Sequence, residues 1–264
     1  MIRMIPPAIL FRLSCFCVSL ALDLVWFWTG SAAAQSAGPC TAMAYDGATY
    51  TVCSFDARRD DIRLFWKGPD NQPYSGFSRL ASVLAARGRV LRFAMNAGMY
   101  ETNLSPVGLY IEDGRPRHRA DLRDGVANFH MKPNGVFYIG DGTAGVVETQ
   151  RFLAEGTKAR FATQSGPMLL IDGHMHPKIS PTGASEKIRN GVGVRDNWLV
   201  SFVISEEPVT FHAFAQFFRD RLNCQNALYL DGSISSLYAP SLDRRGDPPE
   251  PIGPIVAVTA PAGG

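Results

Sequence analysis

The stretch 198-WLVSFVISEEPVTFHAFAQFFRDRLNCQNALYLDGSISS-236 reads as three elements in a row. The apolar run 198-WLVSFVI-204 is a strand. Thr210 then stands as N-cap to a helix over 211-FHAFAQFFRDRL-222, with Phe211, Phe214, Phe218 and Leu222 along one face. A second buried strand, 227-ALYL-230, breaks at Asp231 into glycine and serines. An earlier stretch repeats the order: 62-IRLFW-66, a helix over 77-FSRLASVLAARG-88 closed by Gly88, and 90-VLRFAM-95 ending on 96-NAG-98. Strand, helix, strand most naturally makes a right-handed parallel crossover. Asn96 and Asp231 are therefore expected at carboxyl ends of strands, the edge at which open α/β sheets bind ligands.

Further strands are expected at 107–111, 135–139, 145–149, 167–171, 192–195 and 255–258. A second echo links 107-VGLYIEDG-114 with 167-PMLLIDG-173. Many strands and two convincing helices predict an α+β fold: a mixed twisted β-sheet core with two main helices in duplicated strand-helix-strand units. The chain divides into a signal peptide over 1–34, one domain over 35–240 and a proline-rich tail over 241–264, extended and holding one edge strand at 255–258.

The signal reading rests on Arg3 and Arg12 ahead of an apolar run from Phe16 to Trp28, followed by Ala32-Ala33-Ala34 as an A-x-A cleavage site. Asp23 inside the run opposes insertion, and an uncleaved anchor is the alternative. No later stretch is long and apolar enough to span a bilayer, so no stable membrane insertion is expected after cleavage. The location expected is periplasmic or secreted. The formal charge is +2 and no basic stripe alternates with aromatics, so no nucleic-acid partner is expected.

Cysteine spacing supports export. In 40-CTAMAYDGATYTVC-53, Asp46-Gly47 is a two-residue hairpin turn between alternating runs. Counting outward pairs 45 with 48 and finally 40 with 53, at a non-hydrogen-bonded position whose Cα atoms approach to about 4.5 Å. A Cys40–Cys53 disulfide is predicted, which leaves Cys224 as a lone buried thiol.

Several motifs in order carry a resemblance: 94-AMNAG-98, 106-PVGLYIEDG-114, 164-QSGPMLLIDG-173, 189-RNGVGV-194 and 229-YLDGSISS-236. Together, over roughly 40–240, they resemble the phosphodiester glycosidase family, whose known activity removes N-acetylglucosamine from a phosphodiester. Where that family commonly has Asn-Gly-Gly-Phe-Phe, this chain has Asn96-Ala97-Gly98-Met99-Tyr100. Where it commonly has Asp-Gly-Gly-Gly-Ser-Ser, this chain has Asp231-Gly232-Ser233-Ile234-Ser235-Ser236, whose added Cβ atoms narrow the turn's conformations.

The resemblance implies an exported hydrolase that cleaves a sugar 1-phosphodiester in an envelope or extracellular glycan, with a carbohydrate or sugar-phosphate as substrate. Such cleavage passes through an oxocarbenium-like state that a carboxylate stabilises or supplies with activated water. Asp231 is the carboxylate expected for this. Arg189 is the cation expected on the phosphate, because its planar fork matches two phosphate oxygens. Asn96 completes the catalytic set. Substrate contacts are expected from Gly98, Glu101 as a second carboxylate, Gln164, Ser165, Gly166, Asn190, Gly191, Gly232, Ser235 and Ser236. No cofactor is expected. Two alternatives use the same residues: a non-catalytic carbohydrate- or phosphoglycan-binding module, and a Ca²⁺ site built on Asp231 and neighbouring oxygens.

Other candidates fare worse. The pair 174-HMH-176 places two imidazoles on one side of an extended segment but lacks a third ligand with zinc-site spacing. His118, His130 and His212 stand isolated and read as structural or surface residues. No G-x-S-x-G elbow marks a serine hydrolase, and 140-GDGTAG-145 precedes a strand, which a phosphate loop does not.

Overall fold

A computed structural model describes residues 1–2, 38–231 and 233–263. Nearly all of the expected signal segment, and Gly232, lie outside the described residues. In chain order the elements are β1 (Cys40–Tyr45), β2 (Ala48–Asp56), β3 (Asp61–Phe65), α1 (Phe77–Ala85), β4 (Arg89–Asn96), β5 (Tyr110–Glu112), β6 (Arg115–His118), β7 (Gly135–Ile139) and β8 (Ala144–Glu148). They continue with α2 (Thr149–Ala154), β9 (Phe161–Ser165), β10 (Met168–Ile171), β11 (His174–Met175), β12 (Asn190–Arg195), β13 (Leu199–Ser205), α3 (Phe211–Asp220), β14 (Asn226–Asp231), β15 (Leu237–Tyr238) and β16 (Ile255–Pro261). The class is α+β and mainly sheet, as expected.

The strands form three sheets: β1-β2-β13-β12-β14-β10-β11, β15-β4-β16-β3 and β6-β5-β9-β7-β8. Every neighbouring pair described is antiparallel. The two strand-helix-strand units refine the expectation in the same way. β12 lies between β13 and β14 and runs antiparallel to both, so β13 and β14 are parallel but not adjacent. β16 does the same between β3 and β4. Each helix thus joins parallel strands across an inserted antiparallel one, and both Asn96 and Asp231 still fall at carboxyl ends.

Strand alternation builds the layers. On β14, Leu228 and Leu230 enter the central core, while Ala227 and Tyr229 turn to the opposite face, against Phe214, Phe217 and Phe218 of α3. On β4, Phe93 and Met95 enter the central core, and Ala94 joins Phe77, Leu80 and Leu84 of α1. Phe137, Ile139, Val146 and Phe161 of the third sheet fill the same centre. Buried aromatic side chains of this kind each contribute about 2–3 kcal/mol relative to exposure.

The β1–β2 hairpin has the register counted from sequence, Tyr45 opposite Ala48 and Cys40 opposite Cys53. Asp46 and Gly47 adopt φ of 46° and 79° in its turn. The Ser54 N–H donates to Pro39 O, so the next pair inward, 40 and 53, is a non-hydrogen-bonded one. Its Cα atoms lie 4.0 Å apart and the disulfide is formed. Cys224 is buried just ahead of β14, and burial pushes its thiol up to about 12.

The strand at 255–258 departs from expectation. It belongs to an interior strand, paired to β3 on one side and β4 on the other, with Ile255 to Val258 buried. The prolines of this region do not prevent this, because Pro248, Pro249, Pro251 and Pro254 precede the strand and Pro261 is its last residue, which leaves the N–H groups between them to the ladder. The segment 161–165, for which no strand is expected from sequence, is β9, the middle of the third sheet.

Candidate active site

The endings of the two repeated units meet. Asn96, Asn190 and Asp231 are all buried, and Asn190 opens β12 directly opposite Asp231. The Asn190 side-chain oxygen accepts the Asp231 N–H at 2.9 Å. Its amide donates to Asn96 O and Oδ1, each at 3.0 Å. Asn96 Oδ1 also accepts the Ser236 N–H at 3.0 Å, and Asn96 Nδ2 points to Asp231 Oδ2 at 3.4 Å. The other Asp231 oxygen accepts the Ser233 N–H at 2.9 Å. Both oxygens of one carboxylate therefore face donors, and two asparagines fix where that carboxylate sits. The Ser235 hydroxyl lies 2.9 Å from Asp231 O and 3.1 Å from Ile188 O, which ties the turn back to the residue before Arg189.

Arg189 is almost fully buried. Its Nε donates to Val209 O at 2.8 Å, its Nη2 donates to Ser185 O at 2.7 Å, and its guanidinium lies 3.7 Å over the Phe211 ring and 5.4 Å from that of Tyr229. Burial lowers its pKa, although a guanidinium stays charged in proteins. Among the described residues no ion pair includes Arg189. Two carbonyls and two ring faces hold the cation in place without neutralising it, which leaves it able to meet an anion.

Asp231 and Arg189 line one cleft of about 610 Å³. Ser233 and Ile234 continue the Asp231 side. Ser185, Lys187 and Tyr229 adjoin Arg189. Met99, Tyr100, Glu101 and Thr102, just after β4, form a second wall, and Arg123 with residues 127–130 forms a third. Glu101 is exposed at this cleft. Burial, with Asp231 nearby, pushes the Tyr100 phenol up to about 12, and burial does the same to Tyr229, so both are neutral hydroxyls at neutral pH.

The residues expected from sequence thus separate. Asp231, Arg189 and Glu101 line the cleft, and Asn96 and Asn190 hold Asp231 from behind. Gln164 is bonded on every side by the chain itself: its oxygen accepts the N–H of Leu109 and of Asp121 at 2.9 Å, and its amide donates to Asp121 O at 2.7 Å. It pins the segment that leads to Arg123. Ser165 donates to Leu230 O at 2.9 Å. A Cβ on Gly98, whose φ is +91°, would meet Thr163 Oγ1 at 2.8 Å. One on Gly166 would meet Phe129 O at 2.7 Å, and one on Gly191 would meet Leu228 O at 2.9 Å. These three glycines allow chain to pack on chain. Ser236 contributes its N–H to the network, and Ser235 its hydroxyl.

Sequence reasoning missed Tyr100, Tyr229, Lys187 and Arg123, and read His130 as isolated although it lines the cleft. Only Tyr100 carried a signal, as the end of 96-NAGMY-100. The two histidines of 174–176 separate: His174 is exposed and His176 buried, with a Nε2 that makes no hydrogen bond. Among the described residues no three His, Cys, Asp or Glu side chains gather to hold a metal ion.

The family model described as Phosphodiester glycosidase matches residues 90–258. The Escherichia coli (strain K12) protein YigE is 35% identical over 189 residues, 72% of each chain. The fold resembles the zebrafish N-acetylglucosamine-1-phosphodiester alpha-N-acetylglucosaminidase catalytic domain auto-inhibited by pro-peptide, with TM-score 0.56 and 17% identity over 83% of this chain and 81% of that one. It also resembles a hypothetical protein from Synechocystis, with TM-score 0.54 and 14% identity over 84% of this chain and 61% of that one. With a family match that begins on β4 and ends within β16, taking in every residue of the Asn96–Asn190–Asp231 network, the chain belongs to the phosphodiester glycosidase family.

Proposed function

We propose that this protein hydrolyses the glycosidic bond of a sugar 1-phosphodiester, releasing the sugar and a phosphate monoester. One observation carries the reading: a buried arginine with no acid partner among the described residues shares a cleft with a carboxylate fixed by two asparagines. Arg189 receives the phosphate oxygens, and Lys187 on the same wall adds a second cation. Asp231 faces C1 of the sugar, stabilises the positive charge that develops there and draws the proton from the attacking water. The C1–O bond breaks and its electrons leave with the phosphate. Arg189 stabilises that departing charge, so the demand for a general acid is low. Glu101 offers a second carboxylate in the cleft, beside Tyr100, whose hydroxyl donates to Pro251 O at 3.3 Å, and Tyr229 adjoins Arg189 as a neutral phenol.

The substrate lies outside the cytoplasm in this reading, in an envelope or extracellular glycan. The Cys40–Cys53 disulfide and the basic, apolar, A-x-A order of the first 34 residues support that location.

The test is release of free sugar from an N-acetylhexosamine 1-phosphodiester by the purified protein, followed by ³¹P NMR as diester converts to monoester. Asp231→Asn should slow conversion by about 10²–10⁴-fold while retaining affinity for the diester. Binding without conversion by the wild-type protein would favour a carbohydrate-binding module instead.

A further inference from the structure

A second depression of about 440 Å³ shares Val107 and Arg123 with the cleft and continues past them to His118 and Arg119. Upstream of it, 115-RPRHRADLR-123 carries four arginines and one acid, in a chain whose formal charge is only +2. The acid, Asp121, is buried and already held by Arg123 through Nε and Nη2. Arg115, Arg117 and Arg119 are exposed, and none forms an ion pair among the described residues. Glu112 on the neighbouring strand lowers the local potential near Arg117, but its carboxylate is engaged by the Tyr110 hydroxyl at 3.0 Å.

Spacing adds to charge. Arg115 and Arg117 lie on β6, which bulges at Arg117, and Arg119 follows its end, so the three succeed one another about 7 Å apart along one extended segment. That is the length scale of one sugar and its phosphate. β6 is also an edge strand of its sheet, with nothing paired on its outer side among the described residues. A row of cations thus leads away from the cleft that holds Arg189 and Asp231.

We propose that the substrate is a polymer with a phosphate in every repeat, one diester held at Arg189 and Asp231 and the following phosphates along Arg119, Arg117 and Arg115. This rests on the sugar-phosphodiester reading of the cleft and extends it from one bond to a chain. The enzyme cuts within or along the polymer, and affinity grows with the number of repeats that reach the arginine row.

The experiment uses the full chain and defined oligomers of an N-acetylhexosamine 1-phosphate diester, of one, two, four and six units. Binding is measured by calorimetry and turnover by sugar release. Affinity should rise about tenfold from one unit to four, the effect of one or two charge-assisted contacts. In Arg117→Ala/Arg119→Ala, both changes at exposed positions, the ratio of four-unit to one-unit affinity should fall to about one, with the melting temperature unchanged. Turnover of the single diester with no gain in affinity for longer oligomers would overturn the polymer inference and leave the reaction intact. A gain in affinity that the double variant loses, without turnover of any oligomer, would uphold the arginine row and overturn the reaction. Equal affinity for single-stranded DNA of the same charge, or for anionic phospholipid vesicles reached through the exposed Leu122 and Val126 beside the row, would also overturn it.

Discussion

Replacing Asn190 by alanine tests the central network. The side chain is fully buried and takes part in three hydrogen bonds of 3.0 Å or less, to Asn96 O, Asn96 Oδ1 and the Asp231 N–H. Truncation removes the acceptor of the Asp231 N–H and the donor to Asn96, and each buried polar group deprived of its partner costs about 1–3 kcal/mol. Such losses within one network are not additive, and a total of about 3 kcal/mol is expected. For a domain of this size that lowers the melting temperature by about 6–12 °C. Activity should fall further than stability, because Asp231 would no longer be held relative to Arg189, and a misplacement of about 1 Å costs about 100-fold in rate. Thermal unfolding by circular dichroism and turnover of a sugar phosphodiester below the melting range separate the two effects. A variant that melts within about 2 °C of wild type and keeps more than half its kcat would refute the claim that Asn190 fixes Asp231.

Asp231→Asn should leave the fold intact and reduce turnover by about 10²–10⁴-fold, the range for loss of a positioned acid–base group; wild-type kcat in that variant would move the chemistry elsewhere in the cleft. Arg189→Lys retains charge but loses the fork stacked on Phe211, so KM for the diester should rise about tenfold or more while Phe211→Leu gives a smaller rise. Equal KM values in wild type and Arg189→Lys would remove the phosphate from this arginine. With Asp231 acting directly on the sugar, turnover should survive chelation by EDTA; loss that Ca²⁺ restores would place a cation at Asp231 instead. Burial lowers the pKa of His176 in the folded state. The unfolded chain therefore binds a proton that the folded one refuses, and stability should decline as pH falls below about 6.5 towards the lower folded value. His176→Gln should flatten that part of the melting profile, and an unchanged slope would show that His176 is not its source.

Much of the architecture was legible because it depends on near neighbours. The Asp46-Gly47 turn sets the β1–β2 register by counting, and with it the Cys40–Cys53 pairing. The helix of Phe214 and Phe218 follows from 3.6-residue spacing, and the N-cap is made as read: Thr210 accepts the Ala213 N–H at 3.1 Å. The roles of polar residues were far less legible. Gln164 and Ser165 look alike in sequence to Asn96 and Asp231, polar groups at the margin of an apolar run. Gln164 proves to be bonded to the chain on all sides, and Asp231 opens to the cleft.

The sequence by itself determined the α+β class, the hairpin disulfide, the two repeated units and the carboxyl-end positions of Asn96 and Asp231, all products of local periodicity and turn chemistry. Only the tertiary structure decided that these two endings meet, that Asn190 joins them, and that a segment about 130 residues before Asp231 lines the same cleft with Tyr100 and Glu101. It also decided that β16 enters between β3 and β4, and β12 between β13 and β14. The physical reason is that a strand's own pattern specifies which faces must be buried, but which strand lies beside it depends on burying all three sheets in one shared core. The partners of each polar group at the strand ends follow from that arrangement alone.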